Sequence, residues 1–107
     1  MVTTDQARAI ALALPEAVEQ DHHGRPSFRV ASRIFATLWT PRALNIMVGE
    51  DRVVAAVEDE PQACSNVFWG RALRAVRVDL DAAGTELVTD LLAEAWSRKA
   101  PRRLFPG

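Results

Sequence analysis

The chain has 107 residues, one domain's worth, and its 49% hydrophobic and 25% charged content is that of a globular protein, which excludes disorder. One cysteine, Cys64, excludes an internal disulfide framework and suits a reducing compartment, and no apolar run is long enough to cross a membrane, so a cytoplasmic location is expected. A net charge of −1 supplies no overall pull toward nucleic acid.

The first element is a helix. Thr3 and Gln6 fit a capping box, Ala7, Ile10, Ala11 and Leu14 form one apolar stripe, and Pro15 ends it. The period then changes to two. Val18 and Gln20 begin a short strand, and Gly24-Arg25-Pro26 turns the chain. Phe28 and Val30 then point one way, with Ser27 and Arg29 the other. Ala31-Ser32-Arg33 reads as a hairpin link. The next strand puts Ile34, Ala36 and Leu38 on one face and Phe35 and Trp39 on the other. After Pro41-Arg42, residues 43–48 return as a fourth strand.

Residues 50–60 fit a short helix with acids at its start, where the dipole favours them, and with Glu58, Asp59 and Glu60 at the unfavourable end. Residues 62–73 read as a loop bent at Gly70, and residues 74–80 as a fifth strand. From Gly84 or Thr85 to about Lys99 runs the clearest helix, with Leu87, Val88, Leu91, Leu92, Ala95 and Trp96 inward, and Pro101 ends it. The order helix, four-stranded meander, helix, strand, helix predicts a single two-layer α+β domain over residues 1–107, an antiparallel sheet of about five strands with helices on one face.

The stretch GRPSFRVASRIFATL resembles the glycine–phenylalanine–basic–valine signature of the MmcQ/YjbR family, and LVTDLLAEAWSRKAPRRL is similar to that family's terminal helix. The opening ARAIALALPEAVE is similar as well, so the likeness is collinear over nearly the whole chain. One departure is Phe68-Trp69, where the family often carries histidine or tyrosine before the last strand. The resemblance implies an antiparallel sheet backed by helices, of the kind shared with secretion-chaperone-like domains. It also implies DNA binding through a double-wing arrangement of hairpins. It brings no catalytic residue set.

Among single residues, the adjacent His22 and His23 make a poor shared metal chelate, because neighbours on a strand point to opposite faces. No nucleophile elbow surrounds Ser27 or Cys64, and the glycines form no phosphate loop, so neither an enzyme nor a cofactor is expected. Trp96 reads as core and Trp39 as sheet packing, and Trp69, in its loop, is the exposed one that could stack on a base or a partner.

The arginines are the strongest lead. Residues 22–49 hold four arginines and no acid, and residues 61–78 hold three and no acid. Arg25, Arg29, Arg33, Arg71 and Arg74, with Trp69, form the candidate DNA-binding set. Arg29 and Arg33 share a face if no bulge intervenes. The expected function is weak, non-sequence-specific binding of DNA, the ligand the family implies, with double-stranded DNA as the expected partner. The competing reading is a protein-interaction or homodimerising module.

Overall fold

A computed structural model describes residues 1–105 of the chain. Helix α1 spans Thr4–Leu12. Strands β1 (Val18–His22), β2 (Arg25–Val30), β3 (Arg33–Thr40) and β4 (Ala43–Ile46) follow. Helix α2 (Glu50–Asp59), strands β5 (Cys64–Trp69) and β6 (Ala72–Asp79), helix α3 (Thr85–Lys99) and a 3-10 turn at Arg102–Leu104 complete the order. The strands form one antiparallel sheet in the order β1-β2-β3-β4-β6-β5. Helix α3 lies across β3, α2 covers β5 and β6, and α1 packs on α3, so the helices form one layer against one face.

The ends of the elements are set locally. The Thr3 hydroxyl accepts from the Gln6 backbone N–H and the Thr3 N–H donates in return to Gln6 Oε1, the capping box read from the sequence. Helix α3 carries Glu86 in its first turn and Arg98 and Lys99 in its last, each sign matched to the local end of the helix dipole. Two hairpin turns use positive φ at both central positions, His23 (54°) with Gly24 (85°) and Ala31 (50°) with Ser32 (68°). That pattern belongs to the tight turns whose twist matches paired strands.

Phe28, Phe35, Leu44, Ile46, Leu80, Leu91 and Leu92 are among the fully buried side chains between sheet and helices. Each contributes roughly 1.5–3 kcal/mol relative to exposure. Trp96 is buried as expected, and its indole nitrogen donates to the Pro15 carbonyl at 2.9 Å, tying α3 to the loop after α1.

Three expectations are corrected. The sheet has six strands, because residues 64–69 form β5 rather than a loop. This edge strand buries Cys64 and Val67 and exposes the rest, so it shows no alternation to read, and a register shift between Val67 and Phe68 breaks its period. On β3, Phe35 belongs to the core with Ala36 and Leu38, while Ile34 lies on the opposite face with Thr37. The cause is a bulge: Phe28 pairs with Ala36 and Arg29 with Ile34, so Phe35 is the extra residue and the alternation inverts there. The same bulge separates Arg29 from Arg33, which faces the side of its partner Val30 in the core and not that of Arg29.

Candidate functional site

The helix-free face of the sheet is crossed by one polar row. The pairing register places Gln20, Ser27, Thr37, Asn45, Arg77 and Ser65 side by side across all six strands. Directly paired residues share a face, so the row is continuous. Its buried members are satisfied. The Ser27 hydroxyl donates to the Gln20 carbonyl at 2.8 Å and accepts from Arg29 Nε at 3.0 Å. Asn45 Oδ1 accepts from Arg77 Nε at 2.9 Å. Ser27 is fully buried and both its bonds are used, so it presents no nucleophile.

Over this row lies a groove of about 340 Å³. Ile34, Thr37, Asn45 and Met47 make its floor, the β1–β2 hairpin supplies His22, His23 and Arg25 on one side, and Trp69 closes the other from β5. The two hairpins, β1–β2 and β5–β6, thus flank the open face. No Asp or Glu lines the groove among the described residues.

Trp39, expected as sheet packing, belongs to this face and is 37% exposed. The Arg25 guanidinium sits 3.9 Å from its ring centroid and that of Arg77 5.4 Å away, both within cation–π range. The two histidines also depart from expectation. His23 occupies a left-handed turn position, so its ring does not point opposite to that of His22. The two rings lie 4.5 Å apart, tilted by 60°, and both line the groove. Among the described residues no group of three metal-ligating side chains exists.

The arginine set divides. Arg29 is half-buried and bonds Ser27 and the Asp21 carbonyl, so it braces the β1–β2 hairpin. Arg71 is exposed at the β5–β6 turn. Arg33 reaches over the end of the sheet and donates to the Lys99 carbonyl at 3.4 Å, at the C-terminus of α3. Arg98, beside it, lies over Gly49 and donates to the Met47 carbonyl at 3.3 Å. The Lys99 ammonium is pushed below the ordinary lysine range by burial and then by repulsion from Arg33, Arg98 and Arg74. Neither these four cations nor Arg25, Arg29 and Arg71 form an ion pair with a carboxylate among the described residues.

Sequence reasoning named Arg33 and Arg74 but not Arg98 and Lys99, which it read only as the end of a helix. It also missed Arg77, Trp39 and Asn45 as one constellation, because their meeting depends on the β4–β6 pairing of distant segments. Trp69 is half-exposed as expected, with Phe68 exposed beside it, although both lie on a strand. Cys64 starts the same strand and is buried. Burial, then the nearby Glu60 carboxylate, raises its thiol above the usual range, which leaves it protonated and unreactive near neutrality. Glu58 and Asp59 are exposed at the end of α2, as a solvated helix end requires. No helix among the described residues is long and apolar enough to cross a membrane.

Comparison with known proteins agrees with this architecture. A crystal structure of the Deinococcus radiodurans protein DR2400, described by the domain family DUF419, superposes with a TM-score of 0.75 at 24% sequence identity, over 90% of this chain and 77% of that one. At that identity the likeness speaks for the fold. No curated protein matches the chain. The family model YjbR matches residues 12–98, from the end of α1 to the last turn of α3, and the chain therefore belongs to the YjbR family.

Proposed function

We infer that this chain is a non-catalytic DNA-binding module of low sequence specificity. One observation carries the reading: Arg33, Arg74, Arg98 and Lys99 converge at one end of the sheet, and among the described residues no carboxylate is paired to them. Clustered cations cost free energy in the absence of an anion, and phosphate oxygens relieve that cost. Arg25 and Arg71, on the two flanking hairpins, extend the positive surface along the chain's acid-free segments. No helix rich in base-reading side chains accompanies them, so contacts would fall on phosphates and affinity would be weak and salt-sensitive.

The test is retardation of random-sequence duplex DNA at low salt. Binding is expected to weaken steeply as salt rises, and Arg33→Ala with Arg74→Ala should flatten the salt dependence by about one unit of slope per contact removed. Absence of retardation at about 20 mM salt, or a double variant that binds like the parent, would remove the reading.

A protein-interaction role has its own observation. Phe68 and Trp69 are exposed by 54% and 50% on β5, an edge strand with an open flank. A mass that rises with concentration in light scattering, and returns to monomer in Phe68→Ser, would favour it.

A further inference from the structure

The groove and the cationic end adjoin, and together they suit one kind of nucleic acid better than another. Ile34 lies in the groove immediately after Arg33 in the chain, and the Met47 side chain lines the groove while its carbonyl accepts from Arg98. The groove is on the open face and Arg33 is turned toward the helix side, so a ligand touching both must bend over the end of the sheet. Duplex DNA has a persistence length of about 50 nm and does not make such a turn within a few base pairs without a large deformation cost. A single strand makes it freely.

The groove also offers what an unstacked base requires. Trp69 presents a half-exposed ring on one wall, and the His22–His23 pair presents two more on the other. Thr37 lies on the floor, where a base edge would meet a polar side chain, beside Asn45, whose Oδ1 is held by Arg77. The lining carries Arg25 and no acid among the described residues, which matches an anionic strand. Aromatic platforms beside a cationic track are the physical basis of single-strand binding.

We propose that the open face binds single-stranded DNA, an unstacked base entering the groove between Trp69 and the His22–His23 pair while its flanking phosphates pass over the sheet end to Arg33, Arg74 and Arg98. This rests on the polyanion reading above and names the strand state that reading leaves open. A base bound here loses its neighbours in the stack, and gains Trp69 as a replacement surface. Sequence preference is small, since every base has a flat face.

The experiment is fluorescence anisotropy with a labelled dodecathymidylate and a random duplex of equal length, at the same low salt, on the full chain. The single strand should bind on the order of tenfold tighter, the scale of one base–aromatic stack. Trp69→Ala and the groove-filling Thr37→Phe should each abolish that preference; Arg33→Ala with Arg74→Ala should weaken both ligands. Trp69 is at the surface, so a circular-dichroism spectrum equal to the parent's is expected for its variant and keeps the result interpretable even if Thr37→Phe misfolds. Duplex binding with no single-strand preference, or a preference untouched by Trp69→Ala, overturns the groove proposal and spares the polyanion reading. Binding of neither DNA overturns both.

Discussion

Arg25 lies over Trp39, its guanidinium carbon 3.9 Å from the ring centroid, while its Nε donates to the carbonyl oxygen of that same tryptophan at 2.9 Å. One side chain thus joins β2 to β3 twice, once through a ring face and once through the backbone. Trp39 sits where the β3–β4 register shifts, so its carbonyl is free of the regular ladder and available to Arg25. Removing the guanidinium should cost about 0.5–1 kcal/mol, the scale of an exposed cation–π contact. Arg25→Ala is expected to show this in urea unfolding, together with a change in tryptophan emission. Arg25→Lys retains the charge but not the planar fork, and should recover only part of the loss.

The bulge on β3 makes a prediction that runs against simple alternation. Phe35 is wholly buried and Ile34 is not, although the period-two pattern assigns Ile34 to the core. Phe35→Ala should therefore destabilise by about 3–5 kcal/mol, as large-to-small core substitutions do. Ile34→Ala should cost far less. Denaturant midpoints for the two variants decide the matter; equal losses would mean that no bulge inverts the strand.

That residue pair also marks how far the sequence can be read. The helices were legible because their caps and stripes are local: Thr3 with Gln6, Pro15, and the run from Leu87 to Trp96 each signal within a few turns. The strands β2, β4 and β6 were legible from their alternation. What escaped was whatever depends on a partner strand. The bulge at Phe35 appears only when β2 is laid beside β3, and β5 is recognisable only by its ladder to β6. The Trp39, Arg77 and Asn45 constellation joins strands separated by an entire helix and β5. Periodicity alone predicts the two-layer architecture, and the family likeness implies the same one.

The cationic end of the sheet should behave as a stored repulsion. Lys99 has a folded-state pKa held below its unfolded value of about 10.5 by burial and by Arg33, Arg98 and Arg74. Folding is then penalised while Lys99 is protonated in both states. The penalty is fully present below the folded pKa and fades as pH rises from there to the unfolded value. Lys99→Met should raise the melting temperature near neutral pH, and the gain should shrink as pH is raised toward 10 or as salt is added. A variant that melts at or below the parent temperature at pH 7 would contradict the clustering.

The opposite sign is expected just past the C-terminus of α3, in the turn that holds Arg103. Arg103 Nη1 and Nη2 contact the two carboxylate oxygens of Glu16 at 2.7 and 2.8 Å, and the Arg103 bond holds the Glu16 carboxyl below its usual range. Phe105 rests against Trp96 with ring centroids 5.6 Å apart. A carboxylate with a depressed folded pKa contributes stability above its unfolded value of about 4.5 and loses it as pH falls through the folded one. Because both groups are solvent-exposed, the effect on global stability is small and local. Glu16→Gln should increase protease cleavage after Arg102 or Arg103 at neutral pH, and the parent protein should reach the same susceptibility only in acid, as limited proteolysis with an acid-tolerant protease followed by mass spectrometry would record.

The polar row from Gln20 to Ser65 gives the sheet a mechanical property. Because it steps through every strand, a ligand laid along it behaves as a splint, joining the β1–β2 margin to the β5–β6 margin without touching the helices. Local fraying of either margin would then be suppressed together on occupation, and amide exchange would slow at both extremes of the molecule in the same titration.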